Sequence, residues 1–180
     1  MIELKTKSIE EDHLTFLLYN SLKSEKTKKQ LRNSKTIPPI LFLAISILNY
    51  FQDKTGLVYS FILLAILWYF LYPIRLKNKF KKHFETHIKE KLADVIGQES
   101  KVTLDNNEII ILSEDGNSSP KTSIAVSLIE FQNLFIIMIK GSKGIIINKS
   151  INDDNLEPEL KEWAKSHGIV YENELDWKWK

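Results

Sequence analysis

The best-spaced chemistry in the chain is His83, His87 and Glu90. Intervals of four and three put two imidazoles and a carboxylate on one helix face, a donor set that a divalent metal accepts. The set has no further ligand cluster and no H-E-x-x-H frame. Among Lys77, Lys79, Lys81, Lys82 and Lys89 it reads as a solvated helix face. His13 and His167 stand alone and are assigned nothing.

Two other stretches fail as sites. "GSKG" (Gly141 to Gly144) lacks the spaced GK[ST] frame of a phosphate loop and joins two strands. "NDDNLEPE" (Asn152 to Glu159) lacks the glycine and the terminal glutamate of a calcium loop. There is no cysteine, hence no thiolate nucleophile, disulfide or zinc thiolate. No nucleophile, base and oxyanion donors assemble from the remainder. The expectation is a protein that is not an enzyme, with no catalytic, cofactor-binding or metal residues and no cofactor.

The elements that would position any site divide the chain by charge. Residues 1–97 hold 16 Lys+Arg against 9 Asp+Glu, and residues 98–180 hold 9 against 14. A basic and an acidic half suggest two environments, and the acidic half argues against nucleic-acid binding. The N-terminus, "MIELKTKSIEED", has no apolar signal-peptide core.

Two apolar runs lie between the halves. "IPPILFLAISILNYF" (Ile37 to Phe51) and "LVYSFILLAILWYFLYPI" (Leu57 to Ile74) carry no charge and are separated only by "QDKTG". At about 1.5 Å per residue the second covers roughly 27 Å, near the thickness of a hydrocarbon core, and the first roughly 22 Å. Thr36, Gln52 and a snorkelling Lys35 extend the first, and Pro38 and Pro39 suit a first helical turn. A soluble core helix keeps a polar stripe, which the second run lacks, while Trp68, Tyr69 and Tyr72 cluster at one end as interfacial aromatics do. The expectation is a transmembrane helical hairpin over 36–74, with spans at about 36–52 and 57–74. Lysines and arginines flank both outer ends, so both termini are expected in the cytoplasm and the protein in the cell membrane as a multi-pass protein.

Before the hairpin, "SIEE" at Ser8 to Glu11 matches a capping box opening an amphipathic, then basic, helix from about Ile9 to Arg32, within a cytoplasmic segment 1–35. A charged exit helix is expected over 75–97. Beyond it, over 98–180, the period changes to that of strands: "KVTL", "EIIILS", "TSIAVSL" with Ile124, Val126 and Leu128 on one side, "NLFIIMIK" and "GIIINK". About five hairpin-linked strands make an antiparallel sheet. A helix with Leu156, Leu160, Trp163 and Ala164 as its apolar stripe closes it, with Asp153 and Asp154 at its start and Gly168 at its end. In "ELDWKWK", Trp177 and Trp179 either touch the bilayer, pack as a strand or stay disordered.

The order "IEEDHLTFLLYNSLKS", basic stretch, two-span hairpin and charged helix resembles the YcxB-like membrane proteins of bacteria. So do "NNEIIILSEDG", "LIEFQNLFIIMI" and "GIIINKS" before a final helix. The resemblance covers nearly the whole chain. Two departures stand out: no tryptophan lies between Pro120 and Glu130, and Asn148 stands where the family has proline after the last strand. The resemblance implies an α+β membrane protein with a pleckstrin-homology-like sheet capped by a C-terminal helix. It carries over no functional residues.

The function expected is therefore non-catalytic. The anchored cytoplasmic domain binds a protein partner or another copy, with exposed strand edges as one means, and its acidity favours a basic partner. The alternative is a lipid or small-ligand sensor at the inner membrane surface, in which the basic collar beside the spans holds headgroups and the adjoining sheet reads them with Lys101, Lys121, Lys140 and Lys143.

Overall fold

A computed structural model describes residues 1–113, 116–153 and 155–179. Glu114 and Asp115 of the expected loop, Asp154 of the expected helix start, and the terminal Lys180 lie outside the described residues. The protein is α+β and divides into two units, one formed by 1–17 with 85–179 and the other by 18–84. The acidic domain expected over 98–180 thus also recruits the start of the chain.

The sheet unit holds two four-stranded sheets where one was expected. In the first, β1 (Ile2–Lys7), β2 (Glu99–Leu104), β3 (Ile109–Ser113) and β4 (Gly116–Ser118) pair antiparallel in that order. The second has the order β7-β6-β5-β8, from β5 (Ala125–Glu130), β6 (Leu134–Ile139), β7 (Lys143–Asn148) and β8 (Val170–Asn173). Strand β8 runs parallel to β5, a correction to the all-hairpin sheet. A parallel neighbour needs a crossover, and α4 (Leu156–Ser166) lies between β7 and β8 in sequence to supply it. Strand β1 is an addition to the expected elements. Its "IELKTK" alternates, but with charges on three of six positions it carries little apolar signal.

The core follows the strand period. Val102, Leu104, Ile109, Leu128, Phe135, Ile137 and Ile147 are fully buried, and the α4 stripe of Leu156, Leu160, Trp163 and Ala164 closes over them as expected. Gly168, at φ +66°, ends α4 in the left-handed conformation that glycine tolerates. The expected alternation of Ile124, Val126 and Leu128 fails at Val126, which is 48% exposed. Residues 122–124 form a 3-10 turn, and the β5–β6 register shifts between Ala125 and Ser127. Val126 is the extra residue of a bulge, which rotates it away from the face that Leu128 takes. Gly144 has a different reason. A Cβ there would lie 2.6 Å from the Phe16 ring, so α1 (Glu10–Lys23) can lie against β7 only over a residue without a side chain.

The N-terminal helix is also corrected. Ser8 does not cap through Glu11. Asp12 Oδ2 accepts the Ile9 N–H at 3.1 Å, and Ser8 Oγ lies 2.8 Å from His13 Nε2. The continuous helix expected to Arg32 breaks at Ser24, whose extended backbone serves as N-cap of α2 (Glu25–Tyr50). Serine followed by an acid in the first turn is an N-terminal signature in its own right.

The other unit contains α2 and most of α3 (Thr55–Lys91), which carries span and exit stretch as one helix. Among the described residues α3 alone is long and apolar enough to cross a membrane, by length and composition. By that measure one span is seen where a pair was expected. The apolar run within α2, residues 37–50, is fourteen residues, and Asn33, Ser34 and Lys35 before it lower the hydropathy of any longer window. Pro38 and Pro39 lie inside α2, not in its first turn. A proline at 38 has no N–H for the carbonyl four residues earlier. That carbonyl, of Ser34, accepts the Trp68 indole N–H from α3 at 3.1 Å instead. Ser46 Oγ donates to the Val58 carbonyl at 3.1 Å nearer the connection, so α2 and α3 run antiparallel over this length.

Candidate functional site

A cleft in the sheet unit has a volume of about 630 Å³. Three pieces of chain form it: the first turns of α1 (Ile9, Glu11, Asp12, Thr15), the β5–β6 turn (Phe131 to Leu134) and the end of β7 (Asn148 to Ser150). Leu175 and Trp177 close its rim. The Trp177 ring meets Phe131 edge-to-face at 5.7 Å, which places the expected tail aromatic on the cleft. The tail there is neither strand nor helix.

Two buried polar hubs hold these walls in place. The first is Asn148. Its Nδ2 donates to Asp12 Oδ2 at 2.7 Å, and its Oδ1 accepts the Lys7 backbone N–H at 3.2 Å. Asn152 extends the clamp, accepting the Lys5 N–H at 2.9 Å and donating to the Lys5 carbonyl at 2.8 Å. Strand β1 therefore lies beside β7 through side-chain amides, not through a backbone ladder.

The second hub is Glu130, only 2% exposed. Lys149 Nζ donates to Oε1 at 2.6 Å, Lys161 Nζ lies 3.1 Å from Oε2, and the Tyr171 hydroxyl also donates to Oε2. Burial pushes the carboxyl up, but the hydrogen bonds from Lys149, Tyr171 and Lys161 outweigh it and hold it down to about 2. Burial and the neighbouring Glu130 push the Tyr171 phenol up, and Glu157 and Glu130 raise Lys161. A phenol driven up and a carboxylate driven down are both far from the neutral range that proton transfer needs. The hub therefore joins β5, α4, β8 and the end of β7 and is built to hold them.

The consequence for the cleft is electrostatic. Lys149 lines it, but its ammonium is engaged by Glu130 and lies 4.5 Å over the Phe135 ring. Glu11 and Asp12 carry the charge that remains on the lining. The first turn of α1 holds Glu10, Glu11 and Asp12 together, which removes the attraction for anions that a bare helix N-terminus has. The wall chemistry is thus two carboxylates beside an aromatic and aliphatic floor, complementary to an ammonium or guanidinium on an apolar stem.

The candidate metal ligands do not converge. Among the described residues no group of three or more His, Asp and Glu could hold a metal ion, and His83, His87 and Glu90 follow one another along α3. Lys101 is ion-paired with Glu3 at 2.6 Å, Lys121 meets Glu108 in a backbone β-bridge, and Lys140 and Lys143 flank the β6–β7 turn, so the four are spread over three places. Glu130 and Asn148 are hubs that motif spacing does not mark. The signal for each is a polar residue set into an isoleucine-rich strand, "SLIEF" and "GIIIN". The chain matches no family model, no curated protein and no solved structure.

Proposed function

We propose that the chain is a membrane-anchored binding module without catalytic activity, whose sheet unit takes a cationic segment of a protein partner in the cleft beside α1. The observation that carries this reading is the pairing of Lys149 with Glu130, which leaves Glu11 and Asp12 to set the sign of the cleft. Trp177 and Phe131 then offer a face for the apolar stem of a lysine or arginine.

The same reading makes the protein a YcxB-like, multi-pass protein of the cell membrane with both termini cytoplasmic. Its sheet unit is pleckstrin-homology-like, and two sheets under one C-terminal helix support that. Support for a second span comes from the surface of α2, where Ile40, Leu41, Ile47 and Leu48 are all exposed and have no cover within the helical pair. An apolar surface of this kind on both helices needs lipid or protein against it.

The test uses the full chain in detergent and two fluorescent decapeptides, one of alternating Lys and Leu, the other of Glu and Leu. The basic peptide should bind, and Glu11→Lys should weaken it by roughly tenfold, the order expected for reversing one charge at the edge of the cleft. Equal binding of the two peptides, or no change in the variant, overturns the proposal.

A further inference from the structure

The helical unit, 18–84, has a charge distribution that the cleft does not use. It contains twelve Lys and Arg against two acids, Glu25 and Asp53. Its register decides where they lie. Ser34 is opposite Trp68 through the indole hydrogen bond, Phe42 meets Phe61 with ring centroids 6.4 Å apart, and Ser46 is opposite Val58. Each pair continues the same antiparallel alignment. Lys35 lies at the same level, its ammonium 4.3 Å over the Tyr69 ring.

Both helices extend past Ser34 and Trp68 without a break. Counting back from Ser34 and forward from Trp68 brings Arg75 level with Thr27, between Lys26 and Lys28, with Lys29 and Lys77 within one helical turn of that level. Arg32 comes level with the stacked Trp68–Tyr72 pair, whose centroids are 4.3 Å apart. Lys26, Lys29, Arg32 and Arg75 are exposed, while Lys28 is paired with Glu25 at 2.8 Å. The opposite end of the pair offers only Lys54, next to Asp53. Two basic runs separated by about forty residues in sequence are therefore one cationic band, directly beyond an aromatic level and an apolar surface. Aromatic side chains at that level are the ordinary mark of a membrane interface.

We infer that this band is a binding site for anionic phospholipid headgroups, with Lys29, Arg32 and Arg75 as its centre and Trp68 and Tyr72 setting its depth. This goes beyond the partner-binding reading, because it assigns lipid recognition to the helical unit and not to the lysines of the sheets. The planar guanidinium forks of Arg32 and Arg75 suit phosphate oxygens, and the apolar surface below them takes the acyl chains. Each such cation near an anionic surface is worth roughly fivefold in binding.

The test is native mass spectrometry of the full chain in a mild non-ionic detergent, with equimolar phosphatidylglycerol and phosphatidylcholine added. Phosphatidylglycerol should be retained at least fivefold over phosphatidylcholine. The triple variant Lys29→Gln, Arg32→Gln, Arg75→Gln should bring the ratio to about one, and Lys54→Gln should leave it unchanged. If the triple variant does not fold, the Arg75→Gln single variant should still lower the ratio severalfold. Equal retention of the two lipids by the wild type overturns the inference, as does a ratio that no variant lowers. Loss of phosphatidylglycerol to an excess of inorganic phosphate overturns it as well, since the site would then be one for free phosphate. None of these readouts involves the cleft, so their failure leaves the partner-binding reading to stand or fall on its own peptides.

Discussion

The sheet unit and the helical unit treat the same kinds of residue in opposite ways. In the sheet unit, isoleucines and leucines are inside, and 12 Lys+Arg stand against 21 Asp+Glu, a net −9. In the helical unit the apolar residues are outside, and 12 Lys+Arg stand against 2 Asp+Glu, a net +10. One is held by expulsion of apolar surface from water. The other buries few of its own apolar side chains, and is held by helix hydrogen bonds, the few polar contacts between α2 and α3 and the ring contacts of Phe42 with Phe61 and Trp68. A buried charge in the first and a stray carbonyl in the second are therefore the positions where each is most exposed to mutation.

Four changes would break or sharpen this contrast. Phe135→Ala removes the largest fully buried side chain of the sheets and should cost about 4 kcal/mol in urea unfolding of the sheet unit. Circular dichroism should show the helical hairpin intact in detergent under the same conditions. A parallel loss of helix would mean that the units do not have separate supports.

The Glu130 hub comes next. A carboxyl held at about 2 in the fold against an ordinary 4.5 adds about 3 kcal/mol at neutral pH. The contribution is complete above pH 4.5 and disappears as the pH falls through 2, because the proton then binds folded and unfolded chains alike. Stability of the sheet unit should decline over that window, and Glu130→Gln should flatten the decline while lowering stability at pH 7.

Gly144→Ala should cost about 2 kcal/mol by overpacking against Phe16 and Ile136, with part regained in the Gly144→Ala, Phe16→Leu double variant. If the alanine variant melts like the wild type, α1 does not rest on β7 as closely as described. The smallest effect belongs to the helical unit. Trp68→Phe leaves the Ser34 carbonyl without its indole donor and should cost about 1 kcal/mol. Faster amide exchange over residues 34–42 in vesicles would show it, and adding Pro38→Ala, which restores a backbone N–H for that carbonyl, should reverse the change.

Much of the fold is legible from pattern. The isoleucine-rich strands and the α4 stripe with its glycine stop follow a short-range period that burial enforces, and the apolar run of α3 is marked by unbroken hydropathy. The features that pattern misses depend on partners distant in sequence. The bulge at Val126 is a property of the β5–β6 pair, not of β5. The capping of α1 passes to Asp12 because Asn148, 136 residues away, holds the same carboxylate. The carbonyl that Pro38 frees inside α2 is met by an indole that α3 brings to it.

The residues by themselves determined that one part of the chain is apolar enough for a membrane and another acidic and strand-forming, because hydropathy and charge are sums over neighbours. Only the tertiary structure decided that Lys149 is spent on Glu130, that the acids of the first twelve residues join the sheet unit, and that the basic runs on either side of the hairpin meet at one level. Those facts depend on which side chains come within a few ångströms of each other, and that is set by register and by strand order. Composition cannot express either.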